Sequence, residues 1–238
     1  MHDEVKYWAI IPAAGMGNRM QSDIPKQYFS IMGKKVLEHT LELFCQHAII
    51  HKVIVAIASN DSIWDTLPLS RHEKLDRVDG GIERCHSVLN CLLSLTKVAG
   101  DNDWVLVHDA ARPCVRVSDI DNLIESLKDD DTGGILALPA RDTMKRADET
   151  HRVNETVERK GLWHALTPQM FRYKKLITAI QGCLEKEIIV TDEAQAIEFH
   201  GGKPFLVEGH QDNIKITHHA DLALAEFYLK QQEAGVCV

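Results

Sequence analysis

The chain has no C-x-x-C pair, no apolar run long enough to span a membrane and no surplus of positive charge. Each absence excludes something. The six cysteines (Cys45, Cys85, Cys91, Cys114, Cys183 and Cys237) sit mostly inside apolar segments, so they read as reduced thiols serving as small core residues. The tandem pair His218-His219 lacks partners at zinc spacing, and no structural zinc is expected. The apolar run from Tyr7 to Ala14 is too short for a secretory or spanning segment, and the residues before it carry acids where a leader needs cations. A cytoplasmic protein that meets no membrane is expected. A formal net charge of −8 over 238 residues leaves no nucleic-acid footprint on the chain as a whole. Any polyanionic substrate must therefore meet a local cationic island.

What is present alternates. Tyr7–Ile11 reads as a buried strand, and Val36, Leu37, Leu41 and Phe44 mark a helix. Lys52–Ala58, Leu75–Val78, Trp104–His108 and Ile135–Pro139 read as further strands. Val88, Leu89, Leu92, Leu93 and Leu95 mark a second helix, and Ser118–Leu127 a third with Ser118 as its N-cap. Continuous Val/Ile/Leu strands between helices predict a mostly parallel sheet covered on both faces. The expected fold is a doubly wound α/β domain spanning residues 1–238.

One stretch breaks this rhythm. Between Arg141 and Lys160 the chain reads RDTMKRADETHRVNETVERK, two extended runs around a turn-like Ala147–Thr150. It carries too little apolar area to bury itself, and an isolated hairpin is marginal in water. The reading is a projecting β-arm that packs on a second subunit in a two-fold dimer.

The richest segment follows the first strand: Pro12-Ala13-Ala14-Gly15-Met16-Gly17-Asn18-Arg19-Met20, then Pro25-Lys26-Gln27-Tyr28. Small residues and glycines let main-chain N–H groups approach a phosphate chain closely. The dinucleotide fingerprint fails because Met20 stands where its third glycine belongs, and no G-x-x-x-x-G-K-[ST] occurs anywhere. What remains is a glycine loop with Arg19 inside it and Lys26 seven residues on. A guanidinium and an ammonium aimed at one triphosphate would stabilise a reacting phosphorus. Asp109, after WVLVH, stands at the sheet edge beside that loop, where a carboxylate can hold Mg²⁺.

Together PAAGMGNRM, PKQY, VDGG-x-ER, WVLVHDAARPC, GGILALPARDTMKR, GLWHALTPQ, TDEA and DNIKIT resemble the nucleotide-sugar pyrophosphorylase superfamily. In detail the chain is similar to the 2-C-methyl-D-erythritol 4-phosphate cytidylyltransferase family of non-mevalonate isoprenoid synthesis. The resemblance implies a homodimeric enzyme that takes CTP and a small phosphorylated polyol and uses Mg²⁺, or Mn²⁺, at Asp109. It implies that Ala13, Ala14, Gly15, Gly17, Gly81, Ser87 and Ala110 bind the nucleotide. Arg112, Thr143, Thr167 and Thr191 would bind the polyol phosphate, Arg112 near its phosphate or toward a neighbouring subunit. Arg19, Lys26, Arg159 and Lys215 would be the catalytic cations, although Lys215, read alone, is a solvated strand lysine.

One position departs from the family: Ile82 follows the two glycines where an acidic residue is common. A contact by that carboxylate is missing, and base choice falls to backbone groups. A substrate phosphate is already ionised at neutral pH and needs no general base, which agrees with the absence of any Ser/His/Asp constellation. Two other readings are a cytidylyltransferase for another polyol phosphate, such as ribitol 5-phosphate, and a CTP-binding module without catalysis. The chain's length leaves no room for a fused second enzyme.

Overall fold

A computed structural model describes residues 5–15 and 24–235. Its strands and helices, in chain order, are β1 (Tyr7–Pro12), β2 (Ser30–Ile31), β3 (Lys34–Lys35), α1 (Val36–Gln46), β4 (Ile50–Ile57), β5 (Leu75–Asp79), α2 (Arg84–Ser94) and β6 (Trp104–Val107). Then come α3 (Val117–Leu127), β7 (Gly134–Pro139), β8 (Met144–Ala147), β9 (Val153–Val157), β10 (Trp163–Arg172), α4 (Tyr173–Leu184), α5 (Glu193–Phe199), β11 (Phe205–Glu208) and α6 (His219–Glu233).

Seven strands form one sheet in the order β11-β7-β10-β6-β1-β4-β5. All neighbours run parallel except at β10, which is antiparallel to both β6 and β7. The sheet is two-faced because its strand residues alternate. Ala9 and Ile11 of β1, with Trp104 and Leu106 of β6, meet Leu37, Leu41 and Phe44 of α1 and Ile120 and Leu123 of α3. Trp8 and Ile10, with Val105 and Val107, meet Val88 and Leu92 of α2 and Leu176 and Ile180 of α4. Each strand thus sends successive side chains to opposite layers, and both faces are buried. The doubly wound, mostly parallel reading holds.

Three local expectations are corrected. Helix α3 begins one residue earlier, with Arg116 at its N-cap and Ser118 already inside the first turn. The segment around Lys215 is not a strand; it is irregular chain pinned by the Ile216 N–H donating to the Ala111 carbonyl at 2.8 Å. The long strand β10 was not expected. Its sequence WHALTPQMFR mixes polar and apolar residues and contains Pro168, so it lacks the continuous apolar run that marks its neighbours.

β1 lies between β6 and β4. The chain leaves it toward β4 and β5 on one side, then returns to β6 on the other. Connections diverge at the carboxyl ends of β1 and β6, which opens a crevice there. Ala13, Ala14 and Gly15 after β1 and Asp109 after β6 line it. Away from the sheet, β8 and β9 pair only with each other, as an antiparallel hairpin whose side chains are nearly all exposed.

Candidate active site

The crevice divides into two clefts. The first, of about 220 Å³, is lined by Ala13, Ala14 and Gly15 after β1, Lys26 and Gln27 from the next turn, Gly81 to Arg84 and Ser87 at the start of α2, Asp109 to Ala111 after β6, and Lys215. Buried Gln27 holds the loop in place: its Nε2 donates to the Ala13 carbonyl at 2.7 Å, while the Ala13 N–H donates to Ala56 of β4 at 2.9 Å. On the facing wall, the Gly81 N–H donates to Ser87 Oγ at 3.0 Å, and Ser87 Oγ donates to the Glu83 carbonyl at 3.3 Å. Gly80 has to be glycine, since a Cβ there would lie 2.1 Å from the Ala14 Cβ. Ile82 stands at the rim, 94% exposed, and brings no carboxylate to this wall. Lys26 opens a short 3-10 turn after Pro25 and donates from Nζ to the Ile216 carbonyl at 3.1 Å. Gly17 and Arg19 lie outside the described residues.

The second cleft, of about 190 Å³, shares Arg84, Asp109 and Lys215 with the first and adds Arg112, Thr167, Gln169, Thr191 and Asp192. Asp109 is the junction. Its Oδ1 accepts from Arg84 Nε at 3.0 Å, and its Oδ2 faces Lys215 Nζ at 2.9 Å and Arg112 Nε at 3.5 Å. Burial alone would raise this carboxyl's pKa, but Arg84, Lys215 and Arg112 outweigh it and hold the group far below the usual carboxylate range. Arg112 is buried against its own chain, with Nη1 on the Asn213 carbonyl at 2.8 Å.

Thr167 is held by a chain of hydrogen bonds. The His108 ring donates through Nε2 to the Arg112 carbonyl at 3.0 Å, which leaves Nδ1 to accept from Thr167 Oγ1 at 3.0 Å. Thr167 Oγ1 in turn accepts the Asp109 N–H at 3.1 Å. Burial pushes the His108 ring down to about 4, so it is neutral at physiological pH. Thr191 opens on the same cleft, with its N–H and hydroxyl on Gln195 Oε1 at 2.7 and 3.2 Å.

Two expected site residues stand apart. Thr143 and Arg159 flank the hairpin, are exposed, and line neither cleft; Arg159 donates to the Arg141 carbonyl. Sequence reading passed over Gln27, His108, Glu193 and Asn213. All four lie within motifs quoted above, but nothing local says that Glu193 meets Arg84, 109 residues away. A wider cleft of about 430 Å³, lined by Lys174, Thr178, Ile197 and His200, gathers no comparable set of charges.

Among the described residues, no group of three or more His, Cys, Asp or Glu side chains could hold a metal by itself. Asp109 Oδ1 carries a single hydrogen bond, which leaves acceptor capacity facing the clefts. One carboxylate oxygen fits a cation that keeps its waters and takes phosphate oxygens for its other ligands.

The family model for 2-C-methyl-D-erythritol 4-phosphate cytidylyltransferase matches residues 7–231. A protein of that name from Vibrio vulnificus is 50% identical over 225 residues, covering 94% of this chain and 95% of its own. One from Pseudomonas savastanoi pathovar phaseolicola is 52% identical over 217 residues, covering 91% and 92%. Among solved structures, a 4-diphosphocytidyl-2C-methyl-D-erythritol synthase superposes with a TM-score of 0.83 at 35% identity, covering 95% of this chain and 99% of its own. The Francisella tularensis cytidylyltransferase superposes with a TM-score of 0.82 at 38% identity, covering 94% and 99%. A match this long, at identities this high, with both clefts at the expected strand ends, makes the chain a member of the 2-C-methyl-D-erythritol 4-phosphate cytidylyltransferase family.

Proposed function

We infer that the protein transfers CMP from CTP to 2-C-methyl-D-erythritol 4-phosphate, giving 4-diphosphocytidyl-2-C-methyl-D-erythritol and pyrophosphate. Family membership supports the reaction. The observation that carries the site is the meeting of two clefts at Asp109, ringed by Arg84, Arg112 and Lys215 on an otherwise acidic protein.

The first cleft takes the nucleotide. Main-chain groups of Ala13, Ala14, Gly15 and Ala110 face the phosphates, while Gly81 and Ser87 read the base, with Gly17 and Arg19 completing the loop. The second cleft takes the polyol phosphate, with Arg112 and Lys215 on its charge and Thr167 and Thr191 on its oxygens. The hydrogen of the Thr167 hydroxyl is committed to His108, so this residue accepts from a polyol hydroxyl. The substrate phosphate attacks the α-phosphorus in line, Arg19 and Lys26 neutralise the charge that builds there, and pyrophosphate departs. Bound Mg²⁺ or Mn²⁺, with Asp109 as its protein ligand, would neutralise triphosphate charge. The triphosphate must accompany the metal, because three cations already surround that carboxylate.

The hairpin packs on a second subunit as a homodimer. Its supports are exposed Met144 and Val153 on the arm and exposed Leu162 and Trp163 at its base. The remoteness of Thr143 and Arg159 from the clefts of their own chain adds to this, since in a dimer they serve the partner subunit's cleft. Five buried, unpaired cysteines agree with work in the reducing cytoplasm. Among the described residues no helix is long and apolar enough to cross a membrane.

The test is pyrophosphate release from CTP with either 2-C-methyl-D-erythritol 4-phosphate or ribitol 5-phosphate, with magnesium and with a chelator. Turnover with the first polyol and magnesium is expected. Preference for ribitol 5-phosphate, or CTP binding without turnover, would overturn the reading.

A further inference from the structure

Behind the shared carboxylate lies a second one that lines neither cleft. Glu193, the first residue of α5, is 1% exposed. Its Oε1 accepts from Arg84 Nη1 at 2.6 Å and its Oε2 from Arg84 Nη2 at 3.0 Å. The remaining edge of the same guanidinium, Nε, donates to Asp109 Oδ1 at 3.0 Å. One planar group therefore joins two carboxylates, with a bidentate fork on the hidden one.

Glu193 is itself held firmly. Asp192 caps α5 by accepting the Gln195 N–H at 2.9 Å. Gln169, in β10, accepts the Ala194 N–H at 2.9 Å and donates to Asp192 Oδ2 at 2.9 Å. The helix start is thus tied to the sheet at the point where the Glu193 side chain leaves it. Stability is a poor reason for such an arrangement, because a buried ion pair is often no better than apolar side chains of similar volume. Orientation is the better reason.

We propose that Glu193 is a positioning residue for cytidylyl transfer: without touching substrate, it clamps Arg84 along two bonds and so aims Arg84 Nε at Asp109, fixing the carboxylate that both clefts share. The inference rests on the reaction proposed above. With Glu193 in place, three cations (Arg84, Arg112 and Lys215) face two carboxylates, a surplus of one positive charge. Glu193→Gln keeps the shape but raises that surplus to two and presents an amide NH₂ to a guanidinium edge. Arg84 then turns toward Asp109 and the nucleotide cleft. A polyanionic nucleotide should bind no more weakly, while the reacting groups lose their alignment.

The experiment compares the parent, Glu193→Gln, Glu193→Asp, Arg84→Lys and the double variant Arg84→Lys/Glu193→Gln by pyrophosphate release, with circular dichroism reporting the folded fraction. Glu193→Gln should lower kcat per folded enzyme by about 10- to 100-fold, the scale of a misplacement near 1 Å, with KM for CTP unchanged or lower. Glu193→Asp keeps the charge but withdraws it by one methylene, so it should fold even where Glu193→Gln does not, and it should lower kcat about tenfold. In the Arg84→Lys background, Glu193→Gln should cost nothing further. A kcat within twofold of the parent in folded Glu193→Gln or Glu193→Asp would overturn the proposal. So would a full additional loss in the double variant, or a loss confined to KM. An inactive parent would instead count against the proposed reaction.

Discussion

At Asp109 burial and charge oppose each other, and charge prevails because three cations reach one carboxylate, Arg84 from α2, Arg112 from the same loop and Lys215 from the irregular segment before α6. The same economy of position governs the residues around it. Gly80 leaves space for Ala14, so Gly80→Ala should push the glycine loop by an ångström or more and cost about 10² in kcat/KM, measured with CTP as the varied substrate. Lys26 stands at the first cleft, its Nζ held by Ile216. Lys26→Ala should keep the fold by circular dichroism and lose about 10²–10³ in kcat, as when one charge-stabilising donor is removed. Near-normal turnover would reject that role. Lys26 was legible beforehand, because a glycine loop followed by a cation is a local pattern, whereas the approach of Gly80 to Ala14 joins positions 66 residues apart. The Arg84–Glu193 clamp was not, since a single arginine looks the same whether it is solvated or buried against a distant carboxylate.

Among the elements, the β8–β9 hairpin does not account for itself. It forms no sheet beyond its own pair, and its side chains are largely exposed. Two strands alone are marginal in water, which is why the proposed homodimer assigns the missing burial to a partner surface. Deleting residues 143–158 should convert the proposed dimer into a monomer in sedimentation and abolish turnover, since it removes Thr143 and, with the dimer, the route by which Arg159 reaches the partner subunit's cleft. Unchanged sedimentation would remove the arm from the interface. The hairpin was readable as two polar extended runs around a turn. Strand β10 was not, because Thr167, Pro168 and Gln169 interrupt the apolar pattern at the point where the strand contributes to the site. The Lys215 segment is not the strand its alternation from Asn213 to Thr217 predicts, because its polar groups make single bonds to Ala111, Thr167 and Arg112 and no backbone ladder.

For the whole molecule, His108 links the site to stability. In the unfolded chain its ring takes up a proton near 6.5, whereas in the folded protein burial holds it down to about 4. Between those values the unfolded state binds more protons, so stability is complete above 6.5 and falls as the pH drops toward 4. This group should remove about 2 kcal/mol between pH 7 and pH 5. Urea unfolding at the two pH values checks it: His108→Gln should lose less on acidification than the parent, and equal losses would contradict the buried, neutral ring.

The sequence alone determined what short stretches of chain can specify. Apolar runs of strand length, helical spacing, the glycine loop and the polar arm each follow from side chains a few residues apart, and together they imply a two-faced, mostly parallel sheet. Tertiary structure decided what depends on strand order. Only the strand order β10-β6-β1, with α5 packed behind, brings Arg84, Asp109, Glu193 and Lys215 within hydrogen-bonding distance. Coulombic and hydrogen-bonding energies fall off over a few ångströms, and distance along the chain does not report distance in space.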